Sequence, residues 1–251
     1  MPDGNTYDVA GPSDAPAIVF VHGMRVTRKM WKPQMERLAD SYRLIAIDLP
    51  GHGALRNAPF RLEDAVTVIA QVIHREARSA RALIVGISLG GYVAMEFGVR
   101  HPEKTAGLVI VSATVEPRGW HTAPYHVVAA LMDILPEPAL NWISRTFFQL
   151  VYPPEKAEPL IAPGFFMRGA SQGLREVFGK QFVPRLAAYP GPVLLLNGEF
   201  DLGFRMHERK FLAAAQRGRL EIIPGAFHIV NIDQPDAFST AIRRFAESIP
   251  W

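Results

Sequence analysis

The sequence feature that most constrains this chain is a serine between two glycines, at the junction of a predicted strand and a predicted helix. Residues 83–85 form a short β-branched run typical of a buried strand, and residues 91–99 are predicted to be helical. Between them lies Gly86-Ile87-Ser88-Leu89-Gly90, where glycine avoids the collisions that a side chain would cause in a sharp turn. We predict that Ser88 is a nucleophile. The amide N–H of Leu89, at the helix N-terminus, is predicted to stabilise an oxyanion.

Strands and helices alternate along most of the chain. Apolar runs that predict buried strands occupy residues 17–21, 44–47, 83–85, 108–111, 193–196 and 220–223. At 251 residues, 49% of them hydrophobic, the chain is long enough for one sizeable domain. We predict an α/β fold with a mostly parallel central sheet and helices on both faces. Ligands of such sheets bind beyond the carboxyl ends of the strands.

The segment from residue 114 to residue 189 interrupts this alternation. It has no buried-strand pattern, but it contains nine prolines and aromatic-rich helical stretches such as residues 141–152. Because it is too long for a loop, we predict a helical cap over the carboxyl edge of the sheet. Residues 1–113 and 190–251 would then form the core.

The cap segment carries more aromatic side chains than a simple covering helix pair needs. Ordinary packing between cap and core is expected to use about half of them, and the remainder is expected to line an apolar pocket above Ser88. Among these candidates for substrate binding we single out Trp120, Trp142 and Phe148.

A serine nucleophile needs a nearby base, and position selects His228 among the eight histidines. His228 lies in a loop directly after the last predicted strand, which places it at the same edge of the sheet as Ser88. His22 and His52 also lie at strand ends, but each adjoins a glycine turn. For those two we expect hydrogen bonds that brace the loops.

Three carboxylates compete for the role of the acid that orients the base. Asp201 follows the predicted strand next to the one that delivers His228, and it would hold the imidazole in the right tautomer. Glu199 lies two residues before it. Glu116, beyond the strand at residues 108–111, is the other rival.

The loop after the first long strand is expected to complete the oxyanion site. Gly23 lets the backbone turn sharply, so that the amide N–H of Met24 can point towards the serine turn. Arg25 is the one charge that the sequence places near the mouth of the pocket. It could select a substrate carboxylate instead of an apolar group.

Composition excludes several classes of function. A net charge of +3 from 27 basic and 24 acidic residues, without a long Lys/Arg run, does not imply nucleic-acid binding. The chain has no cysteine, and no His/carboxylate cluster has metal-ligand spacing, so we expect catalysis without a metal or other cofactor. No apolar run approaches a membrane span, and the polar residues 1–5 lack the features of a signal peptide. We expect a cytoplasmic protein that acts on a small molecule, without a membrane partner; the oligomeric state stays open.

Taken together, these motifs resemble those of the α/β-hydrolase superfamily over nearly the whole chain. The matches, in the superfamily's order and spacing, are His22-Gly23-Met24 with Trp31, the turn at residues 48–53, the turn around Ser88, Gly198 with Asp201, and His228 with Asp233-Gln234-Pro235. The chain looks closest to the small capped esterases, enol-lactonases and C–C hydrolases. The resemblance implies a triad of Ser88, Asp201 and His228 and a helical cap between the fourth and fifth of the predicted strands.

Two departures from the family pattern concern the substrate. Phe227 stands where a glycine usually precedes the histidine, and Met24-Arg25 replaces a more common small or aromatic pair. We expect Phe227 and Arg25 to contact the substrate.

The predicted function is hydrolysis of a carboxylic ester, lactone or thioester through an acyl-enzyme. One alternative is a ligand-binding or regulatory protein that retains the triad but turns over slowly. Another is a C–C hydrolase, a lyase or a cofactor-free oxidative enzyme that uses the same site. Fold analogy does not choose among these.

Overall fold

One seven-stranded sheet organises the chain in the computed structural model, which describes residues 6–251, with His121 described by its backbone only. The first five residues of the predicted core domain lie outside the described residues. The strands are β1 (Tyr7–Ala10), β2 (Ala17–Val21), β3 (Arg43–Ile47), β4 (Ala82–Ile87), β5 (Thr105–Val111), β6 (Pro192–Gly198) and β7 (Arg217–Ile223). Their order is β1-β3-β2-β4-β5-β6-β7, and every neighbouring pair is parallel except β1 with β3.

The mostly parallel sheet is confirmed, and each of the six predicted strands is present. The structure adds β1, which was not predicted. Its four residues lie at the edge of the sheet and are only partly buried, so they lack the continuous apolar run that identifies an inner strand.

Eleven α-helices accompany the sheet in the described part of the chain. They are α1 (Lys32–Leu38), α2 (Leu62–Glu76), α3 (Leu89–Arg100), α4 (Ala123–Ile134), α5 (Glu137–Val151), α6 (Pro154–Ile161), α7 (Met167–Val177), α8 (Phe182–Ala188), α9 (Glu208–Ala214), α10 (Val230–Asp233) and α11 (Pro235–Glu247). Within residues 6–251, none of the helices combines the length and apolar character that crossing a bilayer requires.

Helices cover both faces of the sheet, as predicted. Successive strand residues point to opposite faces, so Val19 belongs to one apolar core and Phe20 to the other. The first core is closed by α2, α3, α8 and α9, and the second by α1, α10 and α11. The sheet is therefore a rigid platform whose strand ends can position side chains.

Five of the helices, α4 to α8, lie between β5 and β6, where the sequence predicted the cap segment. Helix α4 packs on α7, and α5 packs on α6. Phe148 of α5 and Leu160 of α6 join the core on the side of α1 and α11. The backbone amide of Phe166 donates a hydrogen bond to the carbonyl of Arg25 at 2.9 Å, which ties this segment to the loop after β2.

A single carboxylate joins α5 to the loop that carries His228. Asp233 Oδ1 accepts from the hydroxyl of Tyr152 at 2.6 Å, and Asp233 Oδ2 accepts from the amide of Phe227 at 2.7 Å. Lys156 Nζ of α6 donates to the carbonyl oxygen of Asp233 at 2.8 Å. The end of α5, the start of α6 and the loop after β7 are thus held by one residue.

Candidate active site

The turn between β4 and α3 holds Ser88 in a backbone conformation that few side-chain-bearing residues adopt. Its φ is 53° and its ψ is −118°, and its amide donates to the carbonyl of Val111 at 2.9 Å. A Cβ on Gly86 would overlap the carbonyl of Gly90, and a Cβ on Gly90 would overlap the carbonyl of Val21. The glycines of the motif are therefore required by close backbone contacts on both sides of the serine.

Asp201 and His228 meet at the carboxyl ends of β6 and β7. Asp201 Oδ2 lies 2.9 Å from His228 Nδ1, and Asp201 is buried, with 8% of its surface exposed. Because an ionised carboxylate only accepts hydrogen bonds, Nδ1 carries the proton and Nε2 is the free acceptor of the ring. The imidazole is therefore oriented as a base that can take a proton at Nε2.

Ser88 lines an apolar cavity that extends under the cap segment. The cavity holds about 510 Å³ of space between the surrounding atoms, part of which is open to solvent. Phe204 lines it and also packs its ring on that of His228, with the centroids 4.2 Å apart. Among the described residues no hydrogen bond joins Ser88 to His228; such catalytic hydrogen bonds are often long before a substrate binds. The complete lining is Met24, Ser88, Leu89, Tyr92, Val115, Pro117, Thr122, Tyr125, Leu174, Val177, Phe178 and Phe204.

The two residues predicted as oxyanion donors both border this cavity. Leu89 is the first residue of α3. Its N–H is therefore one of the amide groups in the first helical turn, which have no hydrogen-bond acceptor within the helix. A Cβ on Gly23 would lie 3.5 Å from Cβ of Ser88, which places the loop before Met24 directly beside the serine. Two backbone loops therefore converge on the side chain of Ser88.

His22 and His52 brace the loops around this site, as predicted. His22 Nδ1 lies 2.7 Å from the carbonyl oxygen of Gly23, and its Nε2 accepts from the amide of Leu49 at 3.0 Å. His52 Nδ1 lies 2.9 Å from the carbonyl oxygen of Pro50, and its Nε2 accepts from the amide of Arg25 at 3.1 Å. Each ring therefore donates through Nδ1 and accepts through Nε2, which only the neutral form can do.

Burial keeps both rings neutral. Loss of hydration lowers the pKa of His22 to about 4 and the pKa of His52 to about 3, and for His52 the neighbouring ring of His22 adds to the effect. The two ring centroids are 5.0 Å apart. These histidines support the backbone that surrounds the serine, and neither is available as a base.

The carboxylates of the two rival acids, Glu116 and Glu199, accept hydrogen bonds from backbone amides away from His228. The carboxylate of Glu116 accepts from the backbone amides of Phe182 and Val183 at the start of α8. Glu199 Oε2 accepts from the amide of Gly225 at 2.8 Å. Both carboxylates hold backbone, whereas Asp201 is the one that bonds the ring of His228. Within residues 6–251, no group of three or more His, Cys, Asp or Glu side chains is arranged to hold a metal ion.

Four aromatic residues predicted to bind substrate are absent from the cavity lining. Trp120 and Trp142 are 88% and 67% exposed, because they lie on surfaces of the cap segment that face solvent. Phe148 is buried on the opposite side of α5 and stacks on Phe165, with the ring centroids 5.6 Å apart. Phe227 is 59% exposed, and the ring on which it packs, that of Phe200, is itself 51% exposed. The prediction that Trp120, Trp142 and Phe148 line the pocket is therefore wrong for this cavity, and Phe227, predicted to contact the substrate, is not among the residues that line it.

Arg25 also differs from its prediction as the charge at the pocket mouth. Its side chain turns under α5, where the guanidinium lies 5.4 Å from the ring centre of Phe148 and Nη1 donates to Ser144 Oγ at 3.5 Å. Burial lowers its pKa below the ordinary value. Arg25 has a φ of 62°, an unfavourable value for a residue with a side chain. It packs the cap against the loop after β2 and does not line the cavity.

Several lining residues were not selected from the sequence. Thr122 and Tyr125 come from the start of the α4 region, and Leu174 and Phe178 from α7 and the residue that follows it. An aromatic count of the cap segment includes Tyr125 but does not distinguish it from Trp142. Phe204 had one signal, its position three residues after Asp201 in a loop at the sheet edge.

Comparison with known proteins shows which family the chain is similar to. The family model described as alpha/beta hydrolase family matches residues 18–241. The 3-oxoadipate enol-lactonase 2 of Acinetobacter baylyi is 27% identical over 94% of this chain and 90% of its own length. A pimeloyl-[acyl-carrier protein] methyl ester esterase of Nitrosospira multiformis is 26% identical over 93% and 95% of the two chains. The structure of a thermophilic esterase from Thermogutta terrifontis has a TM-score of 0.80 at 23% identity, covering 96% and 92% of the chains.

Proposed function

The chain belongs to the alpha/beta hydrolase family, and from that premise we propose that it hydrolyses an ester bond through an acyl-enzyme formed on Ser88. Several of its relatives are named as enol-lactonases or esterases, which supports the general part of this proposal, hydrolysis of ester bonds. The observation that carries the specific part is the 2.9 Å contact between Asp201 and His228 at the sheet edge where the strained turn presents Ser88.

Acylation begins when Ser88 Oγ attacks the carbonyl carbon of the ester. The proton of the hydroxyl passes to His228 Nε2, and Asp201 stabilises the imidazolium through Nδ1–H. The carbonyl oxygen becomes an oxyanion that accepts hydrogen bonds from the amides of Met24 and Leu89. His228 then gives its proton to the leaving alkoxide or thiolate, which departs as an alcohol or a thiol.

Deacylation repeats these steps with water as the nucleophile. His228 Nε2 takes a proton from water while the hydroxyl attacks the carbonyl carbon of the acyl group. The same two amides receive the second oxyanion. Collapse of this intermediate releases the carboxylic acid and returns the proton from His228 to Ser88 Oγ.

The cavity favours a substrate with an uncharged, apolar group next to the ester. None of its lining residues is charged, and its side-chain hydroxyls besides Ser88 come from Tyr92, Thr122 and Tyr125. The hydroxyl of Tyr92 already donates to the carbonyl of Val115 at 2.8 Å. Carboxylate recognition by Arg25 is less favoured, because its guanidinium lies under α5.

Hydrolysis of p-nitrophenyl esters by the full chain tests the proposal. We expect Ser88→Ala to lower kcat by on the order of 10⁴- to 10⁶-fold, because the attacking atom is lost while the rest of the site remains. A fluorophosphonate probe should label Ser88 in the wild type. Hydrolysis by Ser88→Ala within tenfold of wild type would refute the assignment. A rapid burst of p-nitrophenol followed by release far slower than acylation would favour a ligand-binding protein with slow turnover.

A further inference from the structure

Besides Ser88, the cavity is lined by three residues with side-chain hydroxyls, and two of these hydroxyls already have a partner. The hydroxyl of Tyr92 donates to a backbone carbonyl at 2.8 Å. That of Thr122 donates to the carbonyl of Gly119 at 2.7 Å. The hydroxyl of Tyr125 makes no hydrogen bond to any residue that the structure describes. Of these three hydroxyls, it is therefore the one that a substrate can bind without displacing an existing partner.

The hydroxyl of Tyr125 is a neutral donor near the acid that orients the base. Tyr125 is half-buried in the first turn of α4. Burial raises the pKa of its hydroxyl, and the charge of Asp201 adds to this effect, so the hydroxyl keeps its proton at neutral pH. Because the effect of a charge falls with distance, the hydroxyl lies on the side of the cavity where Asp201 is.

Ring contacts also place Tyr125 on the side of the base. Its ring contacts that of Phe204 edge to face, with the centroids 6.0 Å apart. Phe204 packs in turn on the imidazole of His228, with the centroids 4.2 Å apart. Tyr125 and Phe204 both line the cavity. The three rings therefore connect the base to the wall of the cavity that α4 forms.

The alcohol part of an ester must lie beside His228 in the proposed mechanism. His228 Nε2 has to reach the leaving oxygen in order to protonate it. The carbonyl oxygen lies instead at the amides of Met24 and Leu89, and the acyl chain leaves the carbonyl carbon in another direction. A hydroxyl on the side of His228 is therefore placed to contact the alcohol part of the substrate.

We propose that Tyr125 determines specificity for the alcohol part of the ester, by donating a hydrogen bond from its hydroxyl to an uncharged oxygen of that group. The proposal rests on ester hydrolysis at Ser88. It names a substrate class, esters whose alcohol is mainly apolar but carries one ether, carbonyl or hydroxyl oxygen. Leu174 and Val177 make other parts of the cavity wall apolar, so a substrate oxygen without a donor there would lose its hydrogen bonds to water.

Pairs of acetate esters that differ by one ether oxygen in place of a methylene of the alcohol test the proposal. The ethers are the acetates of 2-methoxyethanol, 3-methoxypropan-1-ol and 4-methoxybutan-1-ol, and their counterparts are butyl, pentyl and hexyl acetate. Titration of the released acid gives kcat/KM, and the ratio of ether to alkyl ester is compared between proteins, so that intrinsic reactivity cancels. In wild type at least one ether should be hydrolysed as fast as its counterpart. In Tyr125→Phe that ratio should fall about fivefold, within the roughly 2- to 12-fold that one neutral hydrogen bond supplies.

The matched control is Tyr92→Phe, which makes the same chemical change in the same cavity at a hydroxyl that already has a partner. Its ratio of ether to alkyl ester should stay within twofold of wild type, and so should that of Thr122→Val.

Three results would overturn the proposal and leave hydrolysis at Ser88 standing. One is a ratio that changes by less than twofold in Tyr125→Phe for every pair, and another is an equal fall in Tyr92→Phe. The third is a fall that occurs only when the ether oxygen is in the acyl chain of a p-nitrophenyl ester, because it would place the hydroxyl at the acyl group. A wild type that hydrolyses none of these esters would refute the proposed function itself, and this proposal with it.

Discussion

The two buried histidines beside the serine turn should make the protein acid-sensitive well above the range in which ordinary carboxylates titrate. In the folded chain the pKa of His22 is lowered to about 4 and that of His52 to about 3. In the unfolded chain both return to about 6.5. The stability that comes from keeping the rings neutral is therefore fully present above pH 6.5 and is lost as the pH falls from 6.5 towards these values.

The magnitude follows from the number of protons taken up on unfolding. Near pH 5.5 each unfolded histidine binds almost one proton more than its folded form, which corresponds to about 1.2 kcal/mol per pH unit for each ring. Between pH 7 and pH 5 the two rings together should lower the free energy of unfolding by about 3 to 4 kcal/mol. This is a large fraction of the stability of a typical domain.

Urea unfolding at pH 7, 6 and 5 measures this loss, with tryptophan fluorescence, to which the buried Trp31 contributes, as the signal. In His22→Gln the amide oxygen can still accept from Leu49 but no longer titrates, so the slope of stability against pH should fall by about half. His74→Gln, at an exposed position on α2, is the matched control and should keep the wild-type slope. An unfolding free energy that is constant from pH 7 to pH 5 would refute the reasoning, because two neutral buried imidazoles require this dependence.

Three further predictions concern the proposed site. Asp201→Asn should lower kcat by on the order of 10⁴-fold, because an asparagine at this position favours the wrong imidazole tautomer. Glu199→Gln and Glu116→Gln should have far smaller effects, and a larger loss in either would show that the acid is misassigned. For p-nitrophenyl esters from acetate to octanoate, kcat/KM should rise about fourfold per methylene until the cavity is full, and equally in Arg25→Ala. A flat series, or preference for a dicarboxylic monoester that Arg25→Ala removes, would contradict the apolar cavity. Gly90→Ala should lower the free energy of unfolding by about 1–3 kcal/mol or more in urea unfolding, since its Cβ overlaps a strand carbonyl.

The parts of the fold that the sequence predicts are those in which burial alone decides the structure. An inner strand such as β4 is apolar on both faces, so its residues stand out as a continuous run. The edge strand β1 is stabilised by pairing with β3 and has no such signature. In the cap segment, prolines and helical spacing predict helices, but the docking of α4 to α8 depends on contacts between distant residues.

In the candidate site, too, some residues can be predicted from their position in the sequence, whereas others depend on contacts between distant residues. Ser88, Asp201 and His228 follow strands, and the order of those strands brings them to one edge, so position in the sequence is enough to suggest their proximity. Their catalytic roles stay predictions. The side chains of the cavity wall depend on which face of each cap helix turns inward, and aromatic content does not reveal that. Tyr125 lines the cavity whereas Trp142 faces solvent, although both are aromatic residues of helices in the same segment.

The three hydrogen bonds at Asp233 tie α5 and α6 to the loop that carries His228. A hydrogen bond to a charged group contributes about 1.5–3 kcal/mol, and two of these bonds tie Tyr152 and the amide of Phe227 to one carboxylate. Lifting α5 from the core would therefore break a costly link or displace the loop that carries His228. Helix α4 is attached to none of these groups. Its link to the base is the ring of Tyr125, whose centroid lies 6.0 Å from that of Phe204, and Phe204 packs on His228. Displacement of α4 would therefore leave the bonds at Asp233 intact but would remove one aromatic neighbour of Phe204, so access to the cavity is coupled to the base through ring packing and not through these hydrogen bonds.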